Sequence, residues 1–340
     1  MLQTFRKAFQ IEDIRKKILY TLAMLFVVRL GSQLPTPGVD PNYIKDFFAN
    51  QTGETFNFFN AFTGGSFEQM SVFALSITPY ITSSIIMQLL TIAIPKLEEM
   101  QKEGEDGRKK IATITRYVTV GLALIESTAM AVGFGRRGLL EEYNFVNAAI
   151  VVLTLTAGSA FLMWIGERIT EKGVGNGISI VLLINILSRV PSDLTTLYET
   201  FVKGKGLAKG GLAALIILAI ILALVVFTVV LQDAERRIPV QYSQKVQGRR
   251  SVGGQSTNIP LKVNTAGVIP VIFASSIMQF PIVIASFLGK GNGTGIGSEI
   301  LRGLNSGNWC NPSHLQYSWG LIVYIALTVF FAYFYTSITF

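Results

Sequence analysis

The chain has one histidine, His314, and one cysteine, Cys310, among 340 residues. Neither builds a site alone, since protein zinc sites draw on several His or Cys ligands and a disulfide needs two thiols. A single His excludes the H-E-x-x-H helix of zinc hydrolases. No G-x-S-x-G nucleophile elbow and no Walker A loop occurs. Gly173-Val-Gly-Asn-Gly-Ile178 has the glycine density of a phosphate cradle but not G-x-G-x-x-G spacing; no strand precedes it and no Lys-Ser/Thr pair follows. It reads as a tight turn that draws two apolar segments together, with Asn176 capping the next helix. Glu126 is the clearest ionisable residue inside an apolar segment, roughly 15 Å past Arg116 by helical rise. Ion-coupled transporters rely on several such groups. The remaining chemistry is that of contact. The adjacent guanidinium groups of Arg249 and Arg250 suit phosphate or carboxylate partners. No catalytic residue, metal or cofactor is expected.

The elements that carry these residues are apolar. Hydrophobic residues make up 50% of the chain and charged residues 15%, against roughly 25% charged in a soluble domain. At about 20 residues per crossing, that apolar content fills roughly eight membrane spans. The segments run from about Ile18 to Leu34, Phe73 to Ile94, Thr113 to Phe134, Phe145 to Ile165, Ile178 to Leu197, Leu212 to Leu231, Ala266 to Leu288 and Trp319 to Phe340. The pattern predicts an all-α polytopic membrane helix bundle. The first segment is not a cleavable signal, because it lacks a clear small-residue cleavage site and further spans follow. Nineteen Lys and Arg residues fall on the side of the N-terminus and eight on the other. By the positive-inside rule the N-terminus is cytoplasmic, and eight spans return the C-terminus there. The chain stops at Phe340 as the eighth segment ends, with nothing basic after it. A fragment is expected.

Three stretches are unusual for plain packing. The second segment holds Ser76-Ile-Thr-Pro-Tyr-Ile-Thr-Ser-Ser84. Ser and Thr can bond between packed helices, or line a polar, movable path, and Pro79 predicts a kink. Asn57-Phe-Phe-Asn-Ala-Phe-Thr-Gly-Gly-Ser66 is too short to span and too aromatic for a solvated loop. It reads as a half-inserted helix beside a cavity, against the alternative of an interfacial aromatic belt. Between Gln232 and Thr265, the Val/Tyr/Gln mix around Ile238 to Val246 predicts a hairpin. Its basic residues satisfy the orientation rule, touch anionic membrane lipid, or dock an acidic partner such as ribosomal RNA.

Seven strings in order make the chain resemble the SecY family of protein-translocation channels. They are Arg29-Leu-Gly-Ser32, Pro35-Thr-Pro-Gly38, Ala74-Leu-Ser-Ile-Thr-Pro-Tyr-Ile81, Lys102-Glu-Gly-Glu-Asp-Gly-Arg108, Gly166-Glu-Arg-Ile-Thr-Glu-Lys-Gly-Val-Gly-Asn-Gly-Ile-Ser179, Gln255-Ser-Thr-Asn-Ile-Pro-Leu-Lys-Val-Asn264 and Gly267-Val-Ile-Pro-Val-Ile-Phe-Ala-Ser275. The resemblance runs from Phe9 to Phe340. It implies an hourglass channel of ten spans in two pseudo-symmetric halves, here 1–198 with spans one to five and an incomplete 211–340 with spans six to eight. Spans nine and ten are then missing, so this chain alone is not expected to be a working channel.

The resemblance further implies a pore ring of Ile77, Ile81, Ile178, Leu182 and Ile272, with Leu182 where Ile is common. It implies a plug over about Asn57 to Gln69, including Asn57, Phe58, Phe59, Asn60, Phe62, Gly64 and Gly65. It implies a lateral gate with polar residues Thr82, Glu126 and Asn264, with Glu126 standing where a Gln is familiar. Arg249 and Arg250 fall on the loop that docks the ribosome and the SecA motor, and Lys102 to Arg108 on a further contact surface. Implied partners are SecE, SecG, SecA, the ribosome, signal-sequence-bearing polypeptides and membrane lipid, and the implied place is the bacterial cytoplasmic membrane. A ring of aliphatic side chains suits such a channel, because it seals by dewetting and makes no sequence-specific hydrogen bonds. Two other functions compete on the residues alone. One is a secondary transporter with a broken second span at its substrate site; the other is an intramembrane protease, which lacks catalytic residues.

Overall fold

A computed structural model describes residues 9–40, 63–135, 139–140, 142–203, 206–240, 245–247, 250–252, 257–287, 296–305, 308–309 and 316–339. Charge and proline decide where the first helices begin. α1 (Glu12–Gly31) opens on Glu12 and Asp13 and closes near Arg29, so each charge opposes the nearer end of the helix dipole. α2 (Thr78–Ala93) has Pro79 in its first turn, where the missing N–H costs no helical bond. This corrects the expected kink. Residues 72–77 form turns, with Ser76 at φ +53°, and the helix starts only after them. The break lies at the other end: α3 (Pro95–Lys102) leaves α2 at 101° after Ile94, again with proline in the first turn.

Beyond it come α4 (Glu105–Phe134), α5 (Phe145–Lys172), α6 (Gly177–Phe201), α7 (Leu207–Asp233), α8 (Ile269–Phe287), α9 (Ile296–Leu304) and α10 (Trp319–Thr339). Each of the eight apolar segments coincides with a helix. Four described helices are long and apolar enough to cross a membrane on their own: α5, α6, Lys209–Asp233 within α7 and Trp319–Ile338 within α10. The α2–α3 pair passes as one broken span. Eight crossings therefore stay a reading of the sequence. The crossing stretch of α7 buries none of its length, and a helix apolar all round belongs in lipid or against other chains.

The chain divides into two compact units, Met1–Pro191 with Phe273–Ala326, and Ser192–Ile272 with Leu327–Phe340. In the first unit α5 packs against α4 and α1, and α2 packs against α4. Ser127 Oγ and Thr156 Oγ1 share a hydrogen bond of 2.9 Å between α4 and α5. Ser83 Oγ donates to the Thr115 carbonyl at 2.8 Å between α2 and α4. One apolar cluster gathers Val39, Met70, Leu75, Leu139 and Leu155; the other gathers Val28, Phe73, Ile77, Leu162, Ile165 and Val181. The extended stretch after α1 pairs with the turns before α2: Thr36 N–H donates to Met70 O and Val72 N–H to Leu34 O, each at 2.9 Å.

In the second unit the expected hairpin is present as two antiparallel ladders. β1 (Glu235–Val240) pairs with β4 (Thr257–Lys262), with Glu235 opposite Lys262. β2 (Lys245–Gln247) pairs with β3 (Arg250–Val252), with Gln247 opposite Arg250.

Candidate functional site

Ile77 is the last residue before α2, and its carbonyl accepts the N–H groups of Tyr80 and Ile81, both at 3.1 Å. Ile77 and Ile81 thus share a face, as i,i+4 spacing requires. Ile178 opens α6 and Leu182 follows one turn later. Ile77 belongs to the second apolar cluster, and Ile81, Ile178 and Leu182 pack against it. Ile77 is fully buried there, while Ile81, Ile178 and Leu182 are half-buried. The fifth expected member, Ile272, belongs to the other unit. Pro270 lies in the first turn of α8, and the proline inside that helix is Pro281.

The glycine-rich turn does what its residue types predict. Asn176 Oδ1 accepts from the N–H groups of Ile178 at 3.1 Å and Ser179 at 3.4 Å, capping α6. A Cβ on Gly177 would lie 2.0 Å from the Gly166 carbonyl oxygen, so α5 and α6 touch through backbone. Gly177 N–H donates to Thr170 Oγ1 at 2.9 Å, and Val174 N–H donates to Thr21 Oγ1 of α1 at 3.1 Å. Ile178 and Leu182 are held in place by these ties.

Of the residues assigned to a plug, Asn57, Phe58, Phe59, Asn60 and Phe62 lie outside the described residues. Gly64 and Gly65 have φ of +66° and +85°, a left-handed turn suited to glycine. The turn sits on α6: a Cβ on Gly64 would be 2.8 Å from the Asn185 carbonyl oxygen. Around that contact runs a polar chain that sequence reasoning missed. Asn185 Nδ2 donates to Ser76 Oγ at 3.1 Å, Ser188 Oγ donates to the Asn185 carbonyl at 2.6 Å, and Arg29 Nη1 donates to Ser188 Oγ at 3.0 Å. The available signal was an arginine inside the first apolar segment, together with Asn185 and Ser188 one turn apart on α6.

The proposed gate residues make local bonds. Thr82 Oγ1 donates to Thr78 O at 3.1 Å, and Asn264 Oδ1 accepts from Gly267 N–H at 3.0 Å. Among the described residues no hydrogen bond joins Glu126 to Thr82, and Glu126 Oε2 is buried without a hydrogen-bond partner. α2 meets α4 at Thr115, which precedes Glu126 by about 16 Å of helical rise. Asn264 lies in the other unit. Arg249 lies outside the described residues, and Arg250 begins β3. Among the described residues no group of three or more His, Cys, Asp or Glu is placed to hold a metal ion.

Comparison with known proteins points one way. A family profile described as SecY matches residues 71–340. Protein translocase subunit SecY of Corynebacterium glutamicum is 43% identical over 350 residues, covering 98% of this chain and 75% of its own. The protein of the same description from Halalkalibacterium halodurans is 42% identical over 343 residues, covering 99% and 76%. A solved structure described as that of a protein conducting channel superposes with a TM-score of 0.57 at 18% identity, covering 94% of this chain and 71% of that one. At that identity the likeness concerns the fold alone.

Proposed function

The chain belongs to the SecY family, and from that premise we propose how its residues serve a polypeptide path. It is a channel-forming subunit of a protein translocase, a multi-pass membrane protein and not an enzyme. In our reading it moves unfolded preproteins across the bacterial cytoplasmic membrane and releases membrane proteins sideways into it, with its N-terminus in the cytoplasm. One observation carries the site assignment: Ile77, at the start of α2, lies in one apolar cluster, and Ile81 of α2 and Ile178 and Leu182 of α6 pack against it. Such a cluster parts around any extended chain and closes behind it, because it offers no directional bond to satisfy. Ile272 completes the ring on this side, residues 57–69 form the plug, and Thr82, Glu126 and Asn264 line the gate where signal sequences bind. The two halves, 1–198 and 211–340, flank the path. SecE and SecG complete the complex, and SecA or the ribosome supplies the energy.

The test is reconstitution. Proteoliposomes holding the translocase assembled with the full-length protein should protect a preprotein from external protease when motor and ATP are supplied. Saturable uptake of a small solute, with no protected polypeptide, would overturn the reading in favour of a transporter.

The docking assignment rests on charge. The adjacent arginines Arg249 and Arg250 suit phosphate or carboxylate contacts. Changing Arg249 and Arg250 together to Glu should weaken ribosome binding and flatten its salt dependence, since fewer counterions are then released. Membrane insertion of the chain should stay normal. Unchanged ribosome affinity at physiological salt counts against the assignment.

A further inference from the structure

We infer that Asn185 is a positioning residue of the channel. Its side chain holds the turn that presents Ile77, and its main chain seats the Gly64 turn within the plug segment. The inference deepens the channel reading above and rests on it. Asn185 is 2% exposed and Ser76 is 1% exposed, so the 3.1 Å bond from Nδ2 to Ser76 Oγ is shielded from water. Ser76 has φ +53°, in the left-handed region, where a residue other than glycine is held only by its surroundings. It directly precedes Ile77. The amide therefore fixes a strained residue next to the constriction.

The same residue also meets the plug turn. The Asn185 carbonyl accepts Ser188 Oγ at 2.6 Å, and Ser188 Oγ in turn accepts from the Arg29 guanidinium at 3.0 Å. A Cβ on Gly64 would lie 2.8 Å from that carbonyl oxygen and 3.0 Å from Ser188 Oγ. Gly64 is thus seated on the backbone that Arg29 and Ser188 brace. Plain packing does not explain the choice of residue. Asn185 Oδ1 meets no donor among the described residues. A leucine would fill comparable space without burying a half-satisfied amide, and departures from that rule are expected where function imposes them.

Moving α2 away from α6 breaks the amide bond, and lifting the plug turn off α6 empties the seat under Gly64. A contact made in the closed arrangement and lost on opening favours closure by its own free energy. In liposomes holding the translocase assembled with the full-length protein, Asn185→Leu should raise resting ion flux roughly threefold to tenfold, the scale of one net hydrogen bond. Ser76→Ala should act alike. The double variant should do no more than the stronger single one, because both remove the same bond. Preprotein protection by the unsubstituted complex separates two failures. If that complex moves no preprotein, the channel reading falls. If it moves preprotein while Asn185→Leu leaves resting flux unchanged, or while the two effects add, the inference about Asn185 falls.

Should Asn185→Leu not assemble, Ser76→Ala carries the test with a second readout. In a Cys310→Ser background, a cysteine placed by Ser66→Cys should react faster with a soluble maleimide when Ser76 is Ala. An unchanged rate overturns the inference.

Discussion

Changing Ile81, Ile178 and Leu182 together to Ser should make the resting translocase leak ions more than tenfold above its unsubstituted level. These three side chains are half-buried in the cluster around Ile77. Burying a large aliphatic side chain contributes about 1.5–3 kcal/mol, and about 1.4 kcal/mol already changes an equilibrium tenfold. Half-buried, each contributes about half of its full-burial value, so losing all three, roughly 2–4 kcal/mol, exceeds a decade in the open fraction. Hydroxyl groups at the constriction also let water wet it, which removes the dewetted barrier to ions. Ile77 responds differently. It is fully buried against Leu162 and Ile165, so Ile77→Ser should cost the fold several kcal/mol, at about the level of Ile→Ala in a core. Conductance of planar bilayers holding the complex checks the first result, and thermal unfolding in detergent the second. A triple variant as tight as the parent would remove the ring from the account.

Gly177→Ala should be among the most damaging single substitutions in the chain. The new Cβ would meet the Gly166 carbonyl oxygen at 2.0 Å and Ile169 Cβ at 2.7 Å. The nearest of these atoms is backbone, so α5 and α6 must separate. The shift strains the Asn176 cap and the Thr170–Gly177 bond and displaces Ile178 and Leu182 with α6. We expect a loss of about 3 kcal/mol or more, within the range for overpacking plus a lost hydrogen bond. Gly121→Ala is the matched comparison. It lies within α4 with nothing inside 4 Å of an added Cβ, so it should be neutral or stabilise by about 0.4–1 kcal/mol. Unfolding midpoints of the two variants in the same detergent decide the matter. Equal midpoints would mean that α5 and α6 are not in backbone contact.

Local rules were legible in the sequence and long-range ones were not. Asn176 and its glycines predict a capped tight turn because capping and left-handed backbone depend on a few adjacent residues. The strand-forming residues from Ile238 to Val246 likewise announce a hairpin, although β1 pairs as far away as Lys262. The kink at Pro79 was misplaced for a physical reason. A proline's effect depends on whether the helix has already started, and Ser76 delays α2 through a conformation that Asn185 supports from 109 residues away. No window on the sequence contains both residues. The Arg29–Ser188–Asn185–Ser76 chain is hidden in the same way. The ring came from family resemblance and not from spacing, since i,i+4 aliphatic pairs are ordinary on an apolar helix.

Site-specific crosslinking to a stalled polypeptide tests the pore assignment most directly. Cys310 is the chain's one cysteine, so Cys310→Ser gives a clean background for Ile81→Cys, Leu182→Cys or Ile272→Cys in the assembled translocase. A preprotein halted midway, with a cysteine in the stretch then inside the membrane, should form disulfides with each of these positions. It should not do so with a cysteine placed by Leu222→Cys on the exposed apolar surface of α7. Crosslinks at Leu222, or labelling of the ring positions by lipid-phase reagents alone with none to the polypeptide, would contradict the account.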